Sequence, residues 1–117
     1  MFFEVNFTGL SYRVTGAALP PEEFIFDLGL QASTLTLVAR CLEITKTSPG
    51  PLLYLDLQTS MDLREGKWFS LGSFTPLTKA DDFDKRDFTG LLRWVRWEVM
   101  GLTNASSATF QIFGVAR

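Results

Sequence analysis

The chain is 117 residues long, 46% of them hydrophobic, and carries a formal net charge of −2. This length and composition suit one domain that buries its own core, and the slightly acidic balance makes nucleic acid or an anionic membrane an unexpected partner. The sequence has no histidine and a single cysteine, Cys41. Ser-His-Asp and Cys-His catalysis, zinc centres built on histidine or on cysteine alone, and an internal disulfide are therefore excluded.

These exclusions predict a protein that is not an enzyme and has no cofactor or metal. Residues 1–10 lack the basic and long apolar segments of a signal peptide, and no later apolar run reaches the ~18 residues of a membrane span. We expect a chain that is not secreted by the usual route. Its unpaired Cys41 suits a reducing compartment, where it would act as a small core residue.

The first third of the chain predicts two strands and a long connection. Residues 2–8 alternate between apolar and polar side chains, which is typical of a half-buried strand. Pro20 and Pro21 cannot supply the N–H donors of a strand and predict a connection. Residues 24–30 alternate again and predict a second strand. We treat region 1–33 as a strand-and-loop region with a hypothetical role as an interaction arm.

A longer strand follows, with an irregularity. From residue 34 to residue 47 the apolar side chains change parity, which predicts a β-bulge or a change of sheet near Arg40–Leu42. Ser48–Pro51 has the composition of a turn.

The middle of the chain predicts a long hairpin. Residues 52–59 place three leucines on one face, Leu53, Leu55 and Leu57, and three polar or aromatic residues on the other, Tyr54, Asp56 and Gln58. A polar loop over 60–67 then leads into a strand over 68–75.

The last third predicts a charged loop and a second hairpin. Residues 79–87 are dense in charge, so we expect a solvated loop held at its ends by Phe83 and Phe88. Residues 91–100 and 108–115 are predicted as the final two strands. A helix over 91–100 is the alternative, but its tryptophan and valine content favours a strand.

Short strands with this spacing predict an all-β chain. The fold class that follows is a single-domain β-sandwich over residues 1–117, jelly-roll-like, with about eight strands. An eight-stranded up-and-down barrel is the alternative.

The segment 93–97 is the strongest candidate for binding. Arg93 and Arg96 have opposite parity, as do Trp94 and Trp97, so each sheet face receives one arginine and one tryptophan. One pair must then face solvent or a partner, where an arginine stacked on an indole is favourable and such residues are common hot spots. Alternatively, one tryptophan anchors the core while the other covers a sheet edge beneath its arginine.

Two weaker patterns are also open. Four aspartates lie close together and could support acid–base catalysis or Ca²⁺ binding: Asp81, Asp82, Asp84 and Asp87. The basic residues Lys79, Lys85 and Arg86 lie beside them, oppose a bound cation and favour a charged loop. Four aromatic residues could form a flat platform for sugars, or could lie in the core: Tyr54, Trp68, Trp94 and Trp97.

Residues 55–62, 68–74, 92–96 and 110–115 carry a resemblance. Within 34–117 the chain resembles small all-β virion proteins of tailed phages and prophages, and in particular capsid cement, or decoration, proteins. The resemblance implies a virion protein, assembled in the host cytoplasm, that clamps neighbouring major-capsid subunits as a homo-oligomer, with a trimer favoured. Similar sandwiches also occur in tails, so a tail or neck component is the alternative, and a carbohydrate-binding module is a further one.

On this hypothesis the partners are the major capsid protein and like subunits. Modest contacts repeated by symmetry would add up across a capsid lattice. The N-terminal strand is included because an edge strand can add to a neighbour's sheet. The predicted interface residues are Phe2, Phe3, Asp82, Phe83, Asp84, Arg86, Arg93, Trp94, Arg96 and Trp97.

Overall fold

The computed structural model describes residues 3–7, 11–29, 32–64 and 66–117. Within these residues the chain forms nine strands, and a 3₁₀ turn at Glu22–Phe24 precedes the third. In chain order they are β1 (Phe3–Asn6), β2 (Tyr12–Val14), β3 (Phe26–Asp27), β4 (Leu35–Lys46), β5 (Leu52–Ser60), β6 (Phe69–Ser73), β7 (Phe83–Phe88), β8 (Trp94–Thr103) and β9 (Ala105–Ala116). In this part of the chain no helix is long and apolar enough to cross a membrane.

The strands form two antiparallel sheets. Sheet A has the order β1-β9-β4-β7, with β2 also beside β9, and sheet B has the order β3-β8-β5-β6. Because β1 and β2 pair with successive parts of β9, they act as two segments of one edge strand. Counted in this way, the eight strands follow the order of a jelly roll. The predicted β-sandwich is confirmed, and the chain forms two sheets instead of one closed barrel.

The core lies between the two sheets. The predicted period-two alternation is confirmed in β5, where the three leucines are buried. The largest side chains in the core are aromatic, and Trp97 packs edge-on against Phe110 with ring centroids 5.2 Å apart. Cys41 is also buried as predicted, and burial raises the pKa of its thiol. The fully buried hydrophobic side chains of the four long strands are Leu35, Leu37, Ala39, Cys41, Leu53, Leu55, Leu57, Val95, Trp97, Val99, Ala108, Phe110, Ile112 and Ala116.

The predicted irregularity in β4 is confirmed. The register between β4 and β9 shifts between Cys41 and Glu43, within the region where the apolar side chains change parity. The hairpin of β5 and β6 is also confirmed, since the two strands pair antiparallel from Asp56 to Thr59.

The predicted strand over 24–30 was wrong in extent. After Pro21 the chain forms a 3₁₀ turn, in which the N–H of Ile25 donates to the carbonyl of Glu22. Strand β3 has two residues, Phe26 and Asp27, and residue 30 lies outside the described part of the chain. The Asp27 carboxylate accepts the N–H of Gly29, whose φ is +67°. This turn ends the strand.

The predicted loop over 79–87 was also wrong for most of its length. Residues 83–88 form β7, which pairs with β4 from Leu35 to Arg40. β7 is the edge strand of sheet A opposite β1 and β2, and edge strands commonly carry charged side chains. High charge density therefore indicated an edge strand here, and only the turn before it is a loop.

The predicted C-terminal hairpin does not form. β8 belongs to sheet B and β9 to sheet A, and they are joined by the single residue Asn104 with φ +56°. Asparagine tolerates this backbone conformation better than most residues. Its side-chain amide donates to the carbonyls of Pro49 and Gly50 at 3.1 and 3.2 Å. Asn104 thus fixes the crossing between the sheets against the β4–β5 turn.

Candidate functional site

The alternation of β8 separates its two tryptophans. Val95, Trp97 and Val99 face the core, whereas Trp94 and Arg96 face outward from sheet B. The predicted outward tryptophan–arginine pair is therefore present. Trp97 is fully buried, so its assignment to the interface was wrong, because a core side chain cannot contact a partner.

Arg93 is held within the chain at the start of β8. Its guanidinium lies 5.0 Å from the centre of the Trp94 ring, and its Nε and Nη2 donate to the two carboxylate oxygens of Asp27, each at 3.1 Å. The bond from Arg93 keeps the pKa of Asp27 below its ordinary value. This arrangement matches the alternative prediction, in which one tryptophan anchors the core and the other lies beneath its arginine.

Arg96 is the centre of a polar network on the outer face of sheet B. It is 5% exposed, its guanidinium lies 4.2 Å from the centre of the Trp68 ring, and its Nε donates to Oε1 of Gln58 at 2.7 Å. Gln58 in turn donates to Glu98 at 2.7 Å. The chain of contacts fixes the Arg96 side chain in one position.

The next row of the same face is also polar and partly buried. Asp56 pairs in register with Glu98 across β5 and β8. It is 5% exposed, and its Oδ1 accepts hydrogen bonds from the hydroxyls of Ser70 and Ser73 at 3.0 and 3.2 Å. The sequence predicted the outward parity of Asp56 and missed its burial.

A groove of about 490 Å³ lies beside this network. We call it the Trp94 groove. It is lined by Trp94 and Arg96 from β8, by Leu63 from the β5–β6 connection, and by the segment before β3, which contributes Leu19, Pro20, Glu22 and Ile25. The sequence marked the two prolines as a connection but did not indicate that this segment faces Trp94.

The aspartates around β7 all have partners within the chain. Asp81 pairs with Arg40 at 2.8 Å, the Thr78 N–H donates to Asp82 at 2.9 Å, and the Thr36 hydroxyl donates to Asp87 at 2.6 Å. Asp84 accepts the Thr75 N–H at 2.7 Å and Arg86 Nε at 2.9 Å. Among the described residues no three acidic, histidine or cysteine side chains are grouped so that they could hold a metal.

Asp84 and Arg86 have inward parity and bridge the open edge of the sandwich. Arg86 also donates from Nη2 to the Thr75 hydroxyl at 2.8 Å, so the pair ties β7 to the segment after β6. Burial alone would raise the pKa of Asp84, but the bonds from Thr75 and Arg86 outweigh it and the pKa is lowered. The contacts of Asp82, Asp84 and Arg86 hold the fold together. Phe83 is the member of this predicted set whose side chain is mostly exposed.

Phe83 and Phe113 form the second candidate surface. Phe83 is 66% exposed and Phe113 is 39% exposed, both on the outer face of sheet A. On the central strand β4, Val38 pairs with Phe113 of β9 on one side and with Lys85 of β7 on the other. Phe83 precedes Lys85 by two residues in β7, so its side chain lies on the same face. Phe113 was not among the predicted interface residues, although its parity is opposite to that of Phe110 and Ile112 in the same strand.

A shallow groove continues this surface towards the edge of sheet A. It runs along β1 and β9 and is lined by Glu4, Asn6, Phe113 and Val115, among others. β1 lies at the edge as predicted. The predicted interface residue Phe2 lies outside the described residues, and Phe3 is described for its backbone, which pairs with Ala116. We call Phe83, Phe113, Val38 and Val115 the sheet A patch.

No protein-family model and no curated protein matches the chain. Among solved structures it is similar to one titled "Crystal structure of PirA", with 11% sequence identity, a TM-score of 0.48, and coverage of 100% of this chain and 92% of that chain. A similarity at this level carries no information about function.

Proposed function

We propose that the chain is a structural protein that works by docking onto other proteins, and that it serves as a cement or decoration protein of a tailed-phage capsid. The observation that carries the docking role is the pair of exposed phenylalanines in the sheet A patch. The virion assignment is supported by the sequence resemblance over residues 34–117.

The sheet A patch has the chemistry of a protein interface. Phe83 and Phe113 occupy outward positions where a strand facing water usually carries polar side chains. Full burial of an exposed phenylalanine side chain is worth about 1.5–3 kcal/mol, and the partly exposed Phe83 and Phe113 would each contribute less than this to a complex. Exposed apolar clusters rimmed by polar residues commonly mark interaction surfaces.

Charged residues lie on the same face as the patch, next to Val38 and Phe83. Lys85 lies beside Val38, and the ion pair of Arg40 and Asp81 lies beside Phe83. Rim charges of this kind contribute to the choice of partner and to register more than to affinity. One small patch gives a modest contact, and a capsid lattice that repeats it many times gives a stable attachment.

The first experiment measures the absolute mass of the purified chain by light scattering after size exclusion, over about a hundredfold range of concentration. We expect a trimer, and we expect the double variant Phe83→Ser, Phe113→Ser to run as a monomer with an unchanged circular dichroism spectrum. Phe69→Ser is the matched control, because Phe69 is 60% exposed but lies on β6 of sheet B.

Two results would contradict the docking surface. A wild-type chain that stays monomeric at every concentration contradicts self-association. A Phe69→Ser variant that dissociates as readily as the double variant contradicts the assignment of the interface to sheet A.

The virion assignment needs its own experiment. Particles purified from an induced culture of the source organism are analysed by quantitative mass spectrometry for this chain and for the major capsid protein. Cement proteins cover the whole shell, so we expect the two in comparable copy number. A few copies per particle would favour the tail or neck alternative, and absence from the particles would contradict a virion role.

A further inference from the structure

We infer that the Trp94 groove binds a neutral, hydroxyl-rich ligand, namely a hexose unit of a glycan. This goes beyond the proposed docking function, because the groove lies on sheet B and the docking patch lies on sheet A. It also differs from the flat four-residue aromatic platform considered from the sequence.

The size and the lining of the groove suit one or two sugar rings. Its volume of about 490 Å³ lies within the range of about 300–1,000 Å³ that is usual for small-ligand pockets. One indole ring, from Trp94, offers a face for the C–H groups of a pyranose ring, and aliphatic side chains such as Ile25 and Leu63 surround it.

The charges of the groove favour an uncharged ligand. Among the described residues its lining contains one basic residue, Arg96, and one acidic residue, Glu22, and these two charges attract neither an anion nor a cation overall. Next to the groove the charge of Arg93 is balanced by Asp27. A guanidinium donates hydrogen bonds and a carboxylate accepts them, and sugar hydroxyls can do both.

The polar and aromatic groups of the groove are already ordered without a ligand. Arg96 is fixed between the Trp68 ring and Gln58, and Trp94 lies beneath the guanidinium of Arg93. Because these side chains lose little freedom on binding, the entropic cost of association is low. A flexible surface arginine would not offer this advantage.

The positions of the four aromatic residues favour the groove over a flat platform. Trp97 is in the core, and neither Tyr54 nor Trp68 lines the groove. Trp94 is then the aromatic residue of the original four that lines the groove. With a single stacking ring we expect weak binding, with a Kd of about 0.1–10 mM.

The test is a two-dimensional NMR titration of the whole ¹⁵N-labelled chain. The probes are methyl glycosides of glucose, galactose, mannose, N-acetylglucosamine and N-acetylgalactosamine, their β-linked disaccharides, and glucuronate as a charged sugar. We expect at least one neutral probe to shift the indole N–H signal of Trp94 saturably, while the signal of Trp97 stays still. The core tryptophan is thus an internal control.

Variants then locate the site. Trp94→Ala should abolish the saturable shifts. Should that variant not fold, Glu22→Gln decides the matter, because Glu22 is exposed and its replacement leaves the core untouched. We expect it to weaken binding by about fivefold or more, as loss of a hydrogen bond to a charged acceptor predicts. Phe113→Ser, on sheet A, should bind as the wild type does.

Three results overturn the inference. The first is that no neutral probe gives saturable shifts up to about 50 mM, a concentration above the weakest expected Kd. The second is that glucuronate alone binds. The third is that the shifts survive in both Trp94→Ala and Glu22→Gln. Because the sheet A variants are measured in the same series, failure of the sugar site and failure of the docking patch remain distinguishable.

Discussion

The outer faces of the two sheets carry aromatic residues in different settings. On sheet A, Phe83 and Phe113 are exposed, and neighbouring charges such as Arg40 and Asp81 pair with each other. On sheet B, Trp68 and Trp94 each lie beneath a guanidinium group. Outward parity alone therefore does not make an aromatic residue a docking residue. Docking onto a protein also requires that most of the ring is exposed, as it is at Phe83.

The difference extends to how each face is held together. Sheet B is joined across its strands by side-chain hydrogen bonds through Arg96, Gln58 and Glu98. Sheet A also has such a bond, from Thr36 to Asp87, and differs in the close backbone approach at Gly114 between β1 and β4. Substitutions that add an atom close to the backbone should therefore lower the stability of the fold most in sheet A. Substitutions that remove a polar side chain should lower it most in sheet B.

The largest effect is expected for Gly114→Ala. A Cβ at this position would meet the carbonyl oxygen of Thr36 and lie 2.9 Å from the Cα of Leu37. Backbone atoms cannot move aside cheaply, so we expect a loss of about 3 kcal/mol or more in the free energy of unfolding, or failure to fold. Urea denaturation followed by circular dichroism measures it.

Gly101→Ala is the matched change in sheet B. The nearest atom to its new Cβ would be Cδ2 of Tyr54 at 3.9 Å, an ordinary contact. We expect little loss, or a small gain from reduced freedom of the unfolded chain. Equal losses in the free energy of unfolding for the two variants would show that the closeness of neighbouring backbone atoms does not distinguish the two sheets.

The next effect is expected for Arg96→Ala. The change removes the donor to Gln58 and uncovers one face of Trp68. Leaving such a partly buried acceptor without its charged donor should lower the free energy of unfolding by about 2 kcal/mol. The same urea titration applies.

Arg93→Ala is its control on the same face. Arg93 and Asp27 form an exposed ion pair, and solvent screens such pairs strongly. We expect a clearly smaller loss, one that shrinks further in high salt. If the loss at Arg93 matched the loss at Arg96, the network would contribute nothing beyond a surface ion pair.

A pH effect is expected at the edge of sheet A. Because the pKa of Asp84 is lowered in the folded chain, its carboxylate stabilises the fold above the unfolded pKa of about 3.9, and this contribution is lost as the pH falls through the folded value. Asp84→Asn should thus be less stable than the wild type at neutral pH, with a difference that narrows below about pH 4.

Denaturation midpoints from pH 7 to pH 2 measure this narrowing. Lys85→Gln is the matched control, because it removes an exposed charge on the same strand that is not a carboxylate, and its effect should not narrow in the same way. A constant difference between Asp84→Asn and the wild type would mean that Asp84 does not couple protonation to folding.

Much of the fold was predictable because alternation is a local signal. The parity of Leu53, Leu55 and Leu57 identified the core face of β5, and the parity change near Cys41 identified the bulge. The pairing of strands was less predictable, since a single left-handed residue, Asn104, sends the chain from sheet B to sheet A where a hairpin was expected.

The candidate sites show the same division between parity and contacts. Sequence parity placed Trp94 and Arg96 on the same face without showing whether that face is the outward one, which the structure shows it to be. It could not reveal that Arg96 lies over Trp68, because these residues are far apart in sequence and meet through the order β8-β5-β6. It also could not reveal that the segment containing Pro20 lines the groove.

The smallest effect, Trp68→Phe, separates the outer face of sheet B from the core beneath it. The Nε1–H groups of Trp68 and Trp97 are both buried with no hydrogen-bond partner among the described residues. At Trp68, phenylalanine keeps an aromatic face for Arg96, but the weaker cation–π contact lowers the stability of the fold. The change also removes a buried donor without a partner, which raises the stability, so the two effects oppose each other.

We therefore expect Trp68→Phe to change the free energy of unfolding by less than about 0.5 kcal/mol. In Trp97→Phe the same donor is removed, but the side chain is fully buried, so the lost volume should dominate and cost about 1–2 kcal/mol. Urea denaturation of both variants gives the comparison. A loss at Trp68 as large as that at Trp97 would mean that the Trp68 ring is packed as tightly as a core residue, and that the outer face of sheet B is part of the core.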